Sequence, residues 1–475
     1  MGGPSVNSAN HHSRQMTFAD LLLAPARSSE ADDGACRRAI CLFSSAGLGE
    51  LGIRANGIEI VASSEVIKNR HDLYAHNYPT TRCFHGDIWE TKDGIIQYWQ
   101  THFADSELFM LYATPPCQGM SSNGAGKLAF EQKEGRRSAV DERNRLVIPA
   151  LDVIATLRPR WVLFENVPRM KDTSIPDENG RYVNIIALIR ERLGGDYDGG
   201  CEILACHNYG IPQFRRRLIT VFTRDPSGVE YYHRNGGSFF PAAEKLPQVT
   251  LRQAIAHLPQ LDAVSGNNTA SDFHPLHYVP IMKPEKYHWV SHTPEGQTAY
   301  NNQCINPDCL HTGNALHRDV NNDGVWQSNK GTPIVCEKCG SLLPRPSMLD
   351  KATGKRRLIK GFHSAYRRMK WDRPANTITQ NFIFEASDNK IHPEQNRVLS
   401  AYEALILQTV AEYDYDFCPN GNWISLGLFA ELLGESVPPR LIDLIVRKMI
   451  AVSDGQSQGL STTASTATNA QSVAP

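Results

Sequence analysis

The chain of 475 residues lacks an excess of charge of either sign, its formal net charge being -1. A general basic coat for nucleic acid is thereby excluded, and any contact with a polyanion has to come from local clusters. Also missing is an apolar run near the roughly 20 residues that span a bilayer. The patch Leu21-Leu22-Leu23 is short and preceded by Asp20, which is not the pattern of a signal peptide. Val6 stands where a myristoylation signal on Gly2 needs Ser or Thr. Neither a Walker phosphate loop nor a full G-x-G-x-x-G occurs, so any nucleoside ligand is expected to carry no pyrophosphate. The 11 cysteines are an odd number without a secretory pattern, which predicts reduced thiols, metal ligands or catalysis rather than a disulfide framework. A cytoplasmic protein without membrane contact is expected.

What is present suggests an open α/β sheet. Ile40 to Phe43 reads as a first buried strand, followed by the small-residue turn Ser44 to Gly52 opening a helix. A second strand, Gly57 to Ser64, ends in Glu65, about 20 residues beyond the turn, where α/β folds place an acid on a ribose hydroxyl pair. Asp87, in Gly86-Asp87-Ile88, is placed to accept from an adenine amino group. The strand Leu108 to Ala113 is stopped by Pro115 and Pro116, which holds Cys117 at a strand end, where crevices open in such sheets. Gly119 to Arg137 reads as a long loop over that site, and Asn144 to Leu157 as a helix. The strand Arg160 to Phe164 presents Glu165-Asn166, a carboxylate whose apolar neighbours favour a raised pKa. Arg215 and Arg217 enter the strand Leu218 to Phe222 on one face, so both are expected to point into the same crevice.

In order and spacing these blocks resemble the DNA cytosine-5 methyltransferases. The resemblance is carried by Phe43 with Gly47 and Gly49, Glu65, Asp87-Ile88, Pro116-Cys117-Gln118, Glu165-Asn166-Val167 and Gln213-x-Arg215-x-Arg217. It continues through Tyr366 to Thr379, His392-Pro393, Arg397 to Ser400, Glu403, Gln408 and Gly434 to Pro439. It implies a Rossmann-like methyltransferase fold using S-adenosyl-L-methionine, with Phe43, Ser45, Gly47, Gly49, Glu65, Asp87, Ile88, Pro116, Ser436 and Val437 around the cofactor. It further implies that Cys117 adds to C6 of a flipped-out cytosine and Glu165 assists at N3. Arg217 would contact O2, Arg215 and Asn166 would steady the site, and Gln118 accompanies the nucleophile. Two positions depart from the family pattern: Ser45 replaces a usual glycine and Glu435 a usual asparagine, so altered cofactor affinity is the expected consequence. An RNA cytosine methyltransferase and a catalytically silent DNA-binding relative are the alternative readings.

The expected organisation is a leader over 1–35, a catalytic part over 36–225, and a smaller inserted target-recognition domain over 226–392. The catalytic part is completed over 393–452, with its last helix at Leu441 to Ile450, and a disordered tail follows over 453–475. Within the insertion, Cys304 and Cys309 are separated by four residues and Cys336 and Cys339 by two. Two such pairs predict a zinc-ribbon-like piece at about 300–345 holding a structural ion, with His311 or His317 as substitute ligands and unligated thiols as the bland alternative. The run from Lys351 through Lys355, Arg356, Arg357, Lys360, Arg367, Arg368, Lys370 and Arg373 contains a single acid, Asp372, and predicts phosphate contact. Double-stranded DNA is the expected partner, along with a cognate restriction or defence system; otherwise the chain is expected to be monomeric.

Overall fold

The computed structural model describes residues 36–116, 142–177, 179–241, 245–322, 325–387 and 389–455. The leader 1–35, the segment 117–141 with Cys117, Gln118 and the expected loop, and 456–475 lie outside it. Short runs of apolar residues build a seven-stranded sheet. Its strands are β1 Arg38–Leu42, β2 Glu59–Glu65, β3 Arg82–His85, β4 Leu108–Ala113, β5 Trp161–Asn166, β6 Asp198–Ala205 and β7 Arg216–Thr223. Their order is β3-β2-β1-β4-β5-β7-β6. The first five run parallel, and β7 is antiparallel to both of its neighbours.

Both faces of the central strands are covered, which is why β4 and the first four residues of β5 are apolar and buried throughout, whereas the edge strands β3 and β6 carry polar, partly exposed residues. In β5, Trp161 and Leu163 enter one core layer and Val162 and Phe164 the other. The first layer contains α1 (Leu51–Arg54) and α2 (Lys68–Asn77); the second contains α3 (Ile88–His102), α4 (Val147–Leu157) and α5 (Ile185–Leu193). The chain returns to the first layer through α6 (Ala401–Leu407), α7 (Leu426–Glu435) and α8 (Pro439–Ser453). A Cβ at Gly52 would lie 2.4 Å from the backbone of both Pro439 and Asp443, so this glycine lets α1 rest directly on α8. Helix α8 runs past the expected Ile450. Trp161 Nε1 donates to Ser453 Oγ at 3.0 Å, and Ser453 donates to Asp225 at 2.6 Å. Ser453 is therefore part of the fold and not of a tail.

The segment expected to form the insertion is divided. Leu251, Ala254, Ile255 and Leu276, and later Met369, Trp371, Ala375, Ile378 and Phe382, belong to the same core as the sheet. Between them, small clusters around Val290, around Trp289 with Tyr300, and around Cys304 with Cys336 form separate cores.

One buried ion pair ties the entry of α6. Arg397 reaches both oxygens of Glu403 at 2.7 Å, and both side chains are 1% exposed. Ser400 Oγ accepts from the Glu403 N–H while Glu403 accepts from the Ser400 N–H, a capping box. Burial alone would raise the Glu403 pKa, but Arg397 holds it down to about 2. A depressed acid stabilises the fold above its unfolded value, and that contribution is lost as pH falls through about 2. Glu403→Gln leaves the Arg397 charge buried and unpaired. It should lower the unfolding free energy at neutral pH by about 3–5 kcal/mol in urea titrations, with the gap shrinking in acid.

Candidate active site

The carboxyl edge of the sheet surrounds a cavity of about 1240 Å³ lined by both the early and the late motif blocks. That exceeds the roughly 300–1,000 Å³ of a single small-molecule site, leaving room for a nucleoside cofactor and a base together.

One lobe is built by the turn after β1. Phe43 and Ser45 both adopt left-handed backbone, with φ of 61° and 49°. The turn is pinned from below, since Ser44 N–H donates to the Ser64 carbonyl at 2.9 Å and Ser45 N–H to Glu65 Oε2 at 2.8 Å. Tyr78 and Tyr415 hydroxyls donate to the carbonyls of Gly47 and Ala46, each at 2.6 Å. Gly47 has φ of 82°, and a Cβ there would come within 2.5 Å of the Tyr78 ring. The positive φ at Ser45 is the physical reason why glycine suits that position; serine accepts it at a cost in strain. Glu65 Oε1 also accepts from Ile67 N–H at 2.7 Å, and each carboxylate oxygen keeps a lone pair for a ribose hydroxyl. Asp87 caps α3 by accepting from Trp89 N–H at 3.0 Å, and with Ile88 it borders the cavity.

Four neighbours of this lobe escaped sequence reasoning. Val66 and Ile67 are 59% and 42% exposed on the cavity wall, a flat apolar surface suited to a purine ring. The available clue was two apolar residues directly after the strand-ending acid, beyond what the core needs. Arg70 pairs with Glu435 at 2.7 Å, which supplies a cation for the acid standing in place of asparagine. Buried Glu50 lines the same wall. The donor set fits S-adenosylmethionine: hydroxyl acceptors at Glu65, an apolar wall at Val66 and Ile67, and the buried Tyr112 hydroxyl, unpartnered among the described residues.

The other lobe contains the polar groups expected to carry the chemistry. Strands β4 and β5 are parallel neighbours with Ala113 opposite Phe164, so Pro115-Pro116 and Glu165-Asn166 emerge side by side. Asn166 Nδ2 donates to the Pro115 carbonyl at 2.9 Å and its Oδ1 accepts from Val167 N–H at 2.8 Å, which braces the turn leading into Cys117. Arg217 Nε lies 2.6 Å from Glu165 Oε1, off the hydrogen-bond direction but in ionic contact. Burial pushes the Glu165 carboxyl above its ordinary range, against the opposing charges of Arg217 and Arg215.

Arg215 borders the same cavity as Arg217, but its guanidinium is committed to backbone carbonyls of the late motif blocks. It lies between the two-residue strand Gln213–Phe214 and β7, where the extended alternation is broken. Its buried guanidinium donates to the carbonyls of Ile378 at 2.8 Å, Gly434 at 2.9 Å and Ser436 at 2.5 Å. Gln213 donates to Gln408 at 2.8 Å and Gln408 to the Ser436 carbonyl at 2.8 Å. Ser436 and Val437 thus reach the cavity wall on a loop held by Arg215 and Gln408.

Cys304, Cys309, Cys336 and Cys339, none of which lines this cavity, bring their sulfurs within 4.8 Å of one another. Cys304 and Cys339 are 3.6 Å apart and Cys309 and Cys336 3.9 Å apart. A tetrahedron of roughly 2.3 Å zinc–sulfur bonds has edges of about 3.8 Å, so the set is compatible with zinc. Backbone N–H groups of Asn306, His311, Lys338 and Ser341, each two residues past a cysteine, face the four sulfurs. His317 is bound instead to Thr332 and the Gly361 carbonyl, and neither histidine joins the cluster.

Burial, together with the Glu65 charge, raises the Glu50 pKa to about 7. A raised acid contributes stability below its unfolded value, and that contribution is lost as pH rises through about 7. Glu50→Gln should therefore be more stable than wild type at alkaline pH, by up to about 3 kcal/mol at roughly 1.4 kcal/mol per pKa unit. Thermal unfolding should show the gain vanish in mild acid.

The family model for C-5 cytosine-specific DNA methylase matches residues 38–451. The chain is 28% identical over 418 residues to the Type II methyltransferase M1.HgaI of Avibacterium volantium, covering 86% of this chain and 97% of that protein. It is 25% identical over 452 residues to the Type II methyltransferase M.AgeI of Thalassovita gelatinovora, covering 85% and 97% respectively. A prophage-encoded E. coli protein described as a DNA modification methyltransferase shares the fold, with a TM-score of 0.51 at 20% identity over 88% of this chain and 99% of that one. Of the alternatives drawn from the sequence, the match favours neither the RNA-directed nor the silent one. The chain belongs to the C-5 cytosine-specific DNA methylase family and is a DNA cytosine-5 methyltransferase using S-adenosylmethionine.

Proposed function

We propose that the enzyme methylates cytosine within one short recognition sequence of duplex DNA, with Cys117 as nucleophile and Glu165 as its acid partner. The observation that supports this is the emergence of Pro116 and Glu165 from adjacent parallel strand ends, beside Arg217. S-adenosylmethionine, when bound between the β1 turn and the Ser436 loop, supplies an electrophilic methyl group. A stacked cytosine hides C6, so the base has to leave the helix at a cost of a few kcal/mol. The Cys117 thiolate adds to C6 while Glu165 donates a hydrogen bond or proton to N3, which makes C5 nucleophilic. Burial raises the Glu165 pKa, which favours the protonated form that can donate to N3. Arg217 keeps Glu165 oriented and offers N–H groups to the base O2. Asn166 and Arg215 act as positioning residues, the first on the turn before Cys117 and the second on the loop beside the cofactor. Transfer of the methyl group to C5 would leave S-adenosylhomocysteine; loss of the C5 proton to solvent, departure of the Cys117 sulfur and return of any N3 proton to Glu165 would then regenerate the enzyme and leave 5-methylcytosine.

The segment 226–392 is assigned to target recognition, and the thiolate cluster within it to one structural zinc ion that substitutes for a hydrophobic core. Relatives named as Type II methyltransferases support a paired restriction system as the biological setting. The enzyme is assigned to the cytoplasm, acting on DNA as a monomer. No helix among the described residues is long and apolar enough to cross a membrane.

Expression in a host free of 5-methylcytosine should produce the modification at one recurring sequence. Cys117→Ser should produce none while its circular dichroism and melting temperature stay unchanged; persistent 5-methylcytosine in that variant refutes the mechanism. Elemental analysis should find one zinc per chain and none in Cys336→Ser, and a folded wild type free of metal removes the zinc assignment.

A further inference from the structure

The basic run that looked uniform in sequence divides into two kinds of cation. Arg368 is buried and spends its guanidinium on the carbonyls of Thr293, Val290, His392 and Gln395. Arg367 is half-buried and donates to the carbonyls of Gly296 and His363. Both are engaged with backbone carbonyls. Lys351, Lys355, Arg356 and Arg357 are exposed, and all four lie on one hairpin, β8 (Ser347–Leu349) paired with β9 (Arg356–Leu358).

That hairpin is rigidly mounted. Its turn is closed by Asp350, whose side chain accepts from the N–H groups of Ala352 and Thr353 at 3.0 and 3.1 Å, and by Gly354 N–H donating to the Asp350 carbonyl at 2.8 Å. Its base is fastened to the thiolate ribbon. Leu343 packs against Cys304 and Cys336. Two residues further on, Arg345 is 0% exposed and donates to the carbonyls of Asn302 at 2.8 Å, Ala315 at 2.9 Å and Pro333 at 2.8 Å. One side chain therefore joins the backbone just before Cys304, the loop between the cysteine pairs, and the backbone just before Cys336. On the return strand, the Ile359 N–H donates to the Pro346 carbonyl at 3.0 Å and the Tyr300 hydroxyl to the Ile359 carbonyl at 3.1 Å. The hairpin cannot swing without disturbing the ribbon.

Met348 and Leu349, opposite Arg357 and Arg356, are 41% and 55% exposed. Cations interleaved with exposed apolar side chains match a surface that offers phosphates and deoxyribose together. The only acid on the hairpin, Asp350, already faces Arg357 at 3.3 Å.

We propose that the hairpin 347–358 grips the DNA backbone outside the catalytic crevice, and that the four-thiolate ribbon is the mount that fixes its position. The role of the mount rests on the zinc assignment above; the grip of the four cations does not. Removing one cation from a phosphate should reduce the salt dependence of binding by roughly 0.9 in log–log slope.

The test uses the full-length enzyme, a random-sequence duplex, and equilibrium binding over a range of salt, with S-adenosylhomocysteine binding as the control for an intact catalytic fold. The exposed-site variant Lys351→Gln/Lys355→Gln/Arg356→Gln/Arg357→Gln should lose up to about 3.6 units of slope and at least about tenfold in affinity at low salt, with S-adenosylhomocysteine binding unchanged. Cys336→Ser, freed of zinc, should lose comparable DNA affinity with S-adenosylhomocysteine binding intact. Wild-type slope and affinity in the quadruple variant overturn the grip and leave the patch to an acidic protein partner. Full DNA affinity in zinc-free Cys336→Ser overturns the mount alone. Absence of zinc from wild type ends the metal assignment, and the quadruple variant still decides the grip.

Discussion

The antiparallel pairing of β7 with β5 is the constraint on which the catalytic crevice depends. Five parallel strands deliver only their carboxyl ends to one edge, and those ends supply Glu65, the turn before Cys117, and Glu165. Because β7 runs the other way, with Leu218 opposite Asn166, its amino end arrives at the same edge and sets Arg217 against Glu165. The pair is almost dry, at 12% and 8% side-chain exposure, so the field of the guanidinium is little screened. Desolvation still prevails and keeps the carboxyl raised. A carboxyl both raised and oriented suits proton delivery to a ring nitrogen better than a solvated one.

The second constraint is the buried polar network that gathers the late motif blocks. Arg215, Gln213, Gln408 and the carbonyls of residues 378 and 434 to 436 come from positions more than 150 residues apart. Inside a protein such a network is costly when half satisfied and rigid when complete. Here it holds the Ser436 loop across the cavity from the β1 turn, so the cofactor wall is assembled from both ends of the chain. A Cβ at Gly434 would meet the Gln380 backbone at 2.0 Å, a measure of how closely these blocks approach.

Much of this was legible because strand-end chemistry is local. An apolar run followed by prolines or by a carboxylate marks the edge of a sheet, and Glu65, Pro116 and Glu165 were placed that way. The cysteine pairs were legible because short loops bring two thiols together whatever the fold. Arg215 and the basic run were less so. Alternation predicts a shared face only while the strand is unbroken, and the chain departs from the ladder between Phe214 and Arg216. Charge alone does not distinguish Arg368, which is consumed by carbonyls, from Lys355, which is exposed on the hairpin turn.

By itself the amino-acid sequence determined the strand ends, the order of the motif blocks, the two cysteine pairs and hence the class of chemistry, because each depends on contacts within a few residues. Only the tertiary structure decided that β7 runs antiparallel, that Glu435 finds a cation in Arg70, that the insertion shares part of its core with the sheet, and that the basic residues divide between scaffold and surface. Those outcomes depend on which distant segments become neighbours, and pairing between residues hundreds of positions apart is set by the packing of the whole chain.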